Sequence, residues 1–414
     1  MLPEGWNDYR LKDLIKSLDA GVSVNSLDDS NVNSNHKILK TSCVSAGVFD
    51  PTKIKLVTDP IEIARLSEPV QRDSIIISRM NTPVLVGANG YVSEAIPNTY
   101  LPDRLWQVKP KHQAVHMHWL GFWFSLEHTR HLLRSNATGT SGSMKNITKS
   151  DVLNLPIVVP PLSEQKKIAR ILSTWDNAIS ATKRLLENSQ QRKKALMQQL
   201  LTGKKRLVNP ETGKAFEGNW EEVRVANFGK VVTGNTPPKG DDSNYGSDIS
   251  WATAEDFKGK YVGNTKVKLT KSGVSKARLV PKGSVLVTCI ASIGKNAIAD
   301  EDLTTNQQIN AVIVNSKHCN EFFYYQIEFN KHKLLAWAGT TAVPILNKSS
   351  FEKILLLAPL KHEQQKIASV LTAADKEIEL LEAKLAHFKQ EKKALMQQLL
   401  TGKRRVKVDE NVAA

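Results

Sequence analysis

EQKKIARILSTWDNAI (164–179) and KKALMQQLLTGK (193–204) bracket one stretch of this chain. EQQKIASVLTAADKEI (363–378) and KKALMQQLLTGK (392–403) bracket another. Twelve consecutive residues are identical, and the openings and endings are displaced by the same 199 positions. A shared offset over that length is an internal duplication, and a duplicated chain is read repeat first. No Gly or Pro interrupts either stretch before Gly203 and Gly402, which predicts two helices, the first over roughly 163–202 with Gly203 as its C-terminal cap. At about 1.5 Å per residue, 40 residues make a helix about 60 Å long. A helix of that length wants a partner along it.

The second copy supplies a seam. Ile367, Leu371, Ala374, Ile378, Leu381, Leu385, Phe388, Lys392, Leu395 and Leu399 alternate spacings of four and three, a heptad pattern. The matching positions of the first copy are Ile168, Leu172, Trp175, Ile179, Thr182, Leu186, Ser189, Lys193, Leu196 and Leu200. Thr182 and Ser189 weaken that seam, and small residues there accommodate large ones opposite. We expect the two helices to pair within the chain as an antiparallel coiled coil, which puts the two globules at opposite ends, related by a pseudo-twofold. The competing arrangement packs each helix on its own globule or pairs it between chains. Coiled-coil packing tolerates substitution, so the identity of 193–204 and 392–403 suggests one surface presented twice, to two copies of one partner.

Outside the helices the chain repeats a grammar. Trp6-Asn-Asp-Tyr-Arg10-Leu11 opens one globule and Trp220-Glu-Glu-Val-Arg224-Val225 the other. In the first, an amphipathic stretch around Leu14–Leu18 precedes turn residues over 19–36. Ser74–Ser78 is a β-branched run bounded by polar residues, as a buried strand should be. It enters the polar turn Arg79-Met80-Asn81-Thr82-Pro83, and Asn89-Gly90 carries a turn signal. Residues 115–134 predict a buried aromatic helix, 136–143 a small polar loop, and Ile157–Val159 a last strand. The second globule shows the strand-like run 283–288, the loop 291–295, an aromatic helical segment over 321–338 and the loop Gly339-Thr340-Thr341. The order is globule 1–161, helix 162–204, linker 205–217, globule 218–359, helix 360–405 and tail 406–414.

Lys and Arg number 57 against 41 Asp and Glu, giving a net charge of +16 and a pI near 9.5. That balance favours a polyanion or an acidic protein as partner and says nothing about fold. Cys43, Cys289 and Cys319 form no C-x2-C pair, so neither a zinc knuckle nor a disulfide framework is expected. With no run of about 18 apolar residues and no apolar leader at the N-terminus, a cytoplasmic protein without membrane contact is expected.

The motifs that announce catalysis are missing. Gly203-Lys204 and Gly294-Lys295 lack the upstream glycine of a phosphate loop. No G-x-G-x-x-G, Asn-Pro-Pro-aromatic or paired-acid nuclease pattern occurs. His112, His116 and His118 have ligand-like spacing, with His128 and His131 nearby. No Cys or acidic ligand accompanies them, so histidines of an aromatic helix are the better reading. No catalytic or metal-binding residue is assigned. Polar and basic loop residues do recur at corresponding places, of the kinds that read base edges: Arg79, Asn81, Ser141, Ser143 and Lys145 in the first globule, and Asn235, Lys239, Ser292, Lys295, Gln307, Gln308, Thr340 and Lys348 in the second. Each reads equally well as a solvated loop residue. The basic runs Arg192–Lys194, Lys204–Arg206 and Lys403–Arg405 are candidate phosphate contacts or solvated helix ends.

Paired helices that follow Pro-Leu, begin E-Q-x-K-I-A and end KKALMQQLLTGK resemble the two conserved regions of the specificity (S) subunit of type I restriction–modification systems. The tryptophan openings, 78–83, Thr233-Gly234-Asn235-Thr236-Pro237 and Ser250-Trp251 look like its target-recognition domains, so the resemblance covers essentially the whole chain. It implies an α/β architecture of two mixed α/β target-recognition domains separated by the coiled coil. Each domain reads one half of a split, asymmetric site on double-stranded DNA, and the coiled coil fixes the gap. Two modification (methyltransferase) subunits bring S-adenosylmethionine, and two restriction (translocase and nuclease) subunits bring ATP and Mg. The chain itself carries no cofactor and catalyses nothing. The rival readings are a stand-alone DNA methyltransferase or nuclease, and a coiled-coil adaptor whose globules bind proteins.

Overall fold

A computed structural model of the chain describes residues 2–29, 31, 33–111, 115–139, 143–339 and 343–408. The chain divides into two compact units, residues 1–182 with 384–414 and residues 183–383. The boundaries cut both long helices, Leu162–Leu200 and Lys361–Leu399. The first unit holds the first globule, the first half of one helix and the second half of the other. The second unit holds the complementary set.

The two globules share one topology. The main sheet of the first runs Ile15–Ala20, Leu105–Pro110, Ser74–Ser78, Asn89–Val92 and Ala46–Gly47, antiparallel except for the last pair. That of the second runs Gly229–Thr233, Ile309–Val314, Val285–Thr288, Asn296–Ala299 and Tyr261–Val262, again with a parallel last pair. The central strands are buried on both faces. Ile75 and Ile77 enter one apolar cluster and Ile76 another, while Val285 and Val287 separate from Leu286 in the same way, as a two-residue period requires. The globules differ beside this sheet. A three-stranded sheet flanks the first and a five-stranded one the second.

Several sequence expectations change in detail. The Leu14–Leu18 stretch is a short helix, Leu11–Leu14, running into the strand Ile15–Ala20. The aromatic helix of the first globule is two, Met117–Ser125 and Glu127–Ser135, broken at Leu126. Its counterpart is Asn320–Phe329 and Lys331–Ala336, broken at Asn330, whose carboxamide nitrogen donates to the Gln326 carbonyl and Oε1. Asn89-Gly90 makes no turn but lies inside the strand Asn89–Val92. Gly90 serves close approach instead: a Cβ there would sit 2.6 Å from the Phe49 backbone nitrogen, closer than packing allows.

The helices pair antiparallel within each unit. In the first, Lys392 Nζ lies 2.5 Å from Asp176 Oδ1 and the Trp175 and Phe388 rings meet edge to face at 5.6 Å. In the second, Lys193 bridges Asp375 at 2.8 Å and Glu328 at 3.0 Å, and the Ser189 hydroxyl donates to Glu377 at 3.0 Å. Every seam position predicted above is buried or half-buried, Thr182 included. The weaker first seam marks a real asymmetry. Trp175 and Phe388 form an aromatic contact where the second unit has Ala374 and Ser189. There the buried Lys260 packs 4.8 Å above the Tyr325 ring and donates to Thr372 at 2.6 Å.

The repeated helix ends have intramolecular duties that the sequence alone does not reveal. Glu363, 1% exposed, takes two hydrogen bonds from Arg206 at 2.7 Å each, and Arg206 also donates to the carbonyls of Glu217 and Gly218. Glu164 likewise takes Arg405, which donates to the Glu4 carbonyl, and Glu164 also accepts from the Trp6 indole at 3.3 Å. The adjacent glutamines each bind two backbone groups. Gln165 accepts the His116 amide and donates to the Pro160 carbonyl, and Gln364 does the same with Cys319 and Pro359. Gly203 and Gly402, at φ +71° and +72°, let the helix ends turn back against Trp220 and Trp6. Arg206 and Arg405 are therefore clamps, which corrects their reading as phosphate contacts or solvated ends.

Candidate nucleic-acid interface

The polar candidates gather at one end of each main sheet, around a duplicated backbone node. In the first globule Leu105 pairs with Ser78. The next residue, Arg79, donates its amide to the Arg104 carbonyl at 3.0 Å and accepts the Ile147 amide at 3.0 Å. In the second, Ile309 pairs with Thr288. Cys289 donates to the Gln308 carbonyl at 2.7 Å and accepts the Leu346 amide at 2.8 Å. Met80–Asn81 pairs with Lys145–Asn146 in one globule, and Ile290 bridges to Ile345 in the other. Thr148 and Asn347 then cap the short helices Lys149–Leu153 and Lys348–Lys353.

The node brings Arg79, Asn81 and Lys145 together, with Ser143 two residues from Lys145. Ser141 and Thr340 lie outside the described residues. In the second globule it joins Ser292, Lys295 and Gln308 to the 343–348 segment. Several candidates have local work that limits them as base readers. The Asn81 carboxamide is engaged by Ser78 Oγ at 3.2 Å and the Thr82 amide at 2.9 Å. Asn235 donates to the Lys276 carbonyl at 2.7 Å, Gln307 accepts from Thr236 at 2.5 Å, and Lys295 donates to the Ala254 carbonyl at 2.6 Å. Lys348 pairs along its own helix with Glu352 at 3.6 Å. Lys239 and Gln308 line a cleft of about 590 Å³ with Trp251, Lys258, Lys266 and Asn306.

Sequence reasoning missed Arg104, exposed beside the node, and Arg130, 7% exposed with Nη2 on the Val84 carbonyl at 3.0 Å. It also missed the half-exposed Trp337 and Ile345 of the second globule. The signal for Arg104 was available, because Pro102-Asp103-Arg104 leads directly into an apolar run. The others depend on tertiary register.

His116 and His118 are packing groups, while His128 and His131 are exposed. His116 caps its helix through Nδ1, accepting the Trp119 amide at 3.4 Å. His118 stacks between Tyr91 and Phe122, at 4.0 and 4.7 Å. His112 lies outside the described residues. Among the described residues no group of three His, Cys, Asp or Glu is placed to hold a metal ion, and no helix is long and apolar enough to cross a membrane. Burial pushes the His118 imidazole down to about 4. A depressed histidine is neutral in the fold and protonated sooner in the unfolded chain, so its contribution is complete above about pH 6.5 and declines as pH falls toward 4. His118→Phe is therefore expected to reduce the loss of thermal stability between pH 7 and pH 5. Identical acid sensitivity in the variant would exclude His118 as a source.

Two topologically equivalent globules carrying different loops on a shared helical scaffold define a two-module recognition protein. The type I restriction modification DNA specificity domain model matches residues 3–188 and again 217–390, and the chain belongs to that family: it is a DNA-recognition subunit with two target-recognition domains. It is 25% identical over 418 residues to the putative type I restriction enzyme MjaX specificity subunit of Methanocaldococcus jannaschii, covering 98% of this chain and 95% of that one. It is 22% identical to the type I restriction enzyme HindI specificity subunit of Haemophilus influenzae, covering 88% and 93%. The type I restriction–modification S subunit from M. genitalium shares the fold at a TM-score of 0.61 and 14% identity, covering 95% of this chain and 96% of that one.

Proposed function

We propose that each globule reads one half of a split, asymmetric double-stranded DNA site and that the paired helices fix the unread gap. The duplicated node carries this reading. One backbone arrangement bears Arg79, Asn81 and Lys145 in the first globule and Cys289, Ala291 and Pro344 in the second, so one docking geometry meets two base sequences. The chain directs chemistry and performs none. Two modification subunits supply S-adenosylmethionine-dependent methylation, and two restriction subunits supply ATP- and Mg-dependent translocation and cleavage, all in the cytoplasm.

The identical helix ends support the pairing of modification subunits. Once their internal duties are set aside, Lys194, Ala195, Gln198 and Gln199 remain exposed, as do their copies Lys393, Ala394, Gln397 and Gln398. One partner surface therefore occurs twice.

Exchanging residues 218–359 for another second globule is expected to change one half-site and leave the other intact. Methylome sequencing of cells expressing the chain with its modification subunit reads both halves at once, and a change in both would refute modular reading. Methylation of DNA by the purified chain with S-adenosylmethionine alone would restore the rival enzymatic reading.

A further inference from the structure

We propose that Arg79 reads a guanine in the half-site taken by the first globule. The inference rests on the half-site reading above and assigns one base contact within it.

Arg79 is half-buried, and its guanidinium carbon lies 5.8 Å from the centroid of the Trp106 ring. Arg65, Arg134, Arg206 and Arg405 each reach a carboxylate. Arg10, Arg130 and Arg278 donate to backbone carbonyls. Among the described residues Arg79 does neither, and its buried Nε has no partner. Two more buried polar atoms at the node, Trp106 Nε1 and Asn146 Oδ1, are also unpartnered. Half-burying a charge without an acceptor is costly unless a ligand supplies one.

The backbone of Arg79 is held on both sides by the Arg104 and Ile147 bonds, and its guanidinium lies over the Trp106 ring, which attracts its charge. A fork of N–H donors without a protein acceptor matches the O6 and N7 acceptors of guanine in the major groove. A phosphate asks for less geometry, and the exposed Arg104 beside it suits that role. The internal repeat provides a control. The equivalent Cys289 is 3% exposed, and its sulfur accepts from Asn310 at 3.2 Å. The second half-site therefore receives no guanidinium from this position.

The test uses the chain in complex with its modification subunit, on duplexes carrying the half-sites found by methylome sequencing. Each guanine of the first half-site is replaced in turn by 7-deazaguanine, which removes N7. One position is expected to lose roughly tenfold in affinity or more. That loss is expected to vanish in Arg79→Gln, while specificity for the second half-site is retained. Arg79→Lys, which keeps the charge without the fork, is expected to lose the guanine preference as well, and it carries the test if Arg79→Gln does not fold. Indifference at every guanine, or an undiminished penalty in the variants, would overturn the assignment. Absence of specific binding to any split site by the wild-type complex would instead defeat the half-site reading itself.

Discussion

Arg206→Ala is expected to destabilise the unit holding the second globule by about 3 kcal/mol. Its carboxylate partner, Glu363, is 1% exposed and takes both of its charged hydrogen bonds from Arg206. Removing the guanidinium strands a buried charge, which is worse than never having buried it. At roughly 2–4 °C per kcal/mol for a unit of this size, thermal unfolding should move by roughly 6–12 °C. Arg405→Ala should cost less, because Glu164 keeps the Trp6 indole as a donor and the Arg405 side chain is 43% exposed. Replacing both partners, as Arg206→Met with Glu363→Leu, should recover most of the loss, since an apolar pair avoids desolvating two ions. Calorimetry of the full chain decides this, and a loss under about 1 kcal/mol would mean that the clamp behaves as an ordinary surface pair.

A heptad added to both long helices should lengthen the gap between the half-sites by about three base pairs. Both helices run from one unit into the other. Seven residues add about 10 Å of helix, and each base pair takes about 3.4 Å. Insertion between Thr182 and Lys183 and between Ala383 and Lys384 keeps the Asp176–Lys392 and Asp375–Lys193 pairs on their own sides of the insert. A heptad also keeps the seam in phase. The same insertion in one helix alone should abolish specific binding, because one set of antiparallel contacts must then slip. The half-site sequences should not change. Methylome sequencing reads gap and halves together, and an unchanged gap in the double insertion would remove the helices from the role of ruler.

The long helices, their seam and the doubling of the globules were legible because each rests on local or periodic signals. Heptad spacing, an uninterrupted helical run and a shared offset survive in one dimension. The strand Ser74–Ser78 was legible for the same reason. The break at Leu126 was not, because no proline or glycine stands at or next to it in 115–134. Asn89-Gly90 misled because a glycine chosen for close backbone approach looks like one chosen for a turn.

The site was less legible than the fold. Asn81, Gln307 and Lys295 have the chemistry of base readers, but Gln307 and Lys295 each make one hydrogen bond with a neighbour distant in sequence, Thr236 and Ala254, and the Asn81 carboxamide is engaged by Ser78 and Thr82. Arg206 and Arg405 look like exposed basic residues until their carboxylates, 157 and 241 positions away, are brought to them.

The amino-acid sequence by itself determined that this is a duplicated chain of two globules and two long helices carrying a heptad seam, because repetition and periodicity are properties of order along the chain. Only the tertiary structure decided that the two helices pair, what the repeated glutamates and glutamines hold, and which half-buried arginine is left without an acceptor. Those outcomes depend on which donors and acceptors meet, and burial makes each meeting costly to leave incomplete. Glu164 and Glu363 find their arginines and Gln165 and Gln364 their backbone partners, while Arg79 among the described residues finds none.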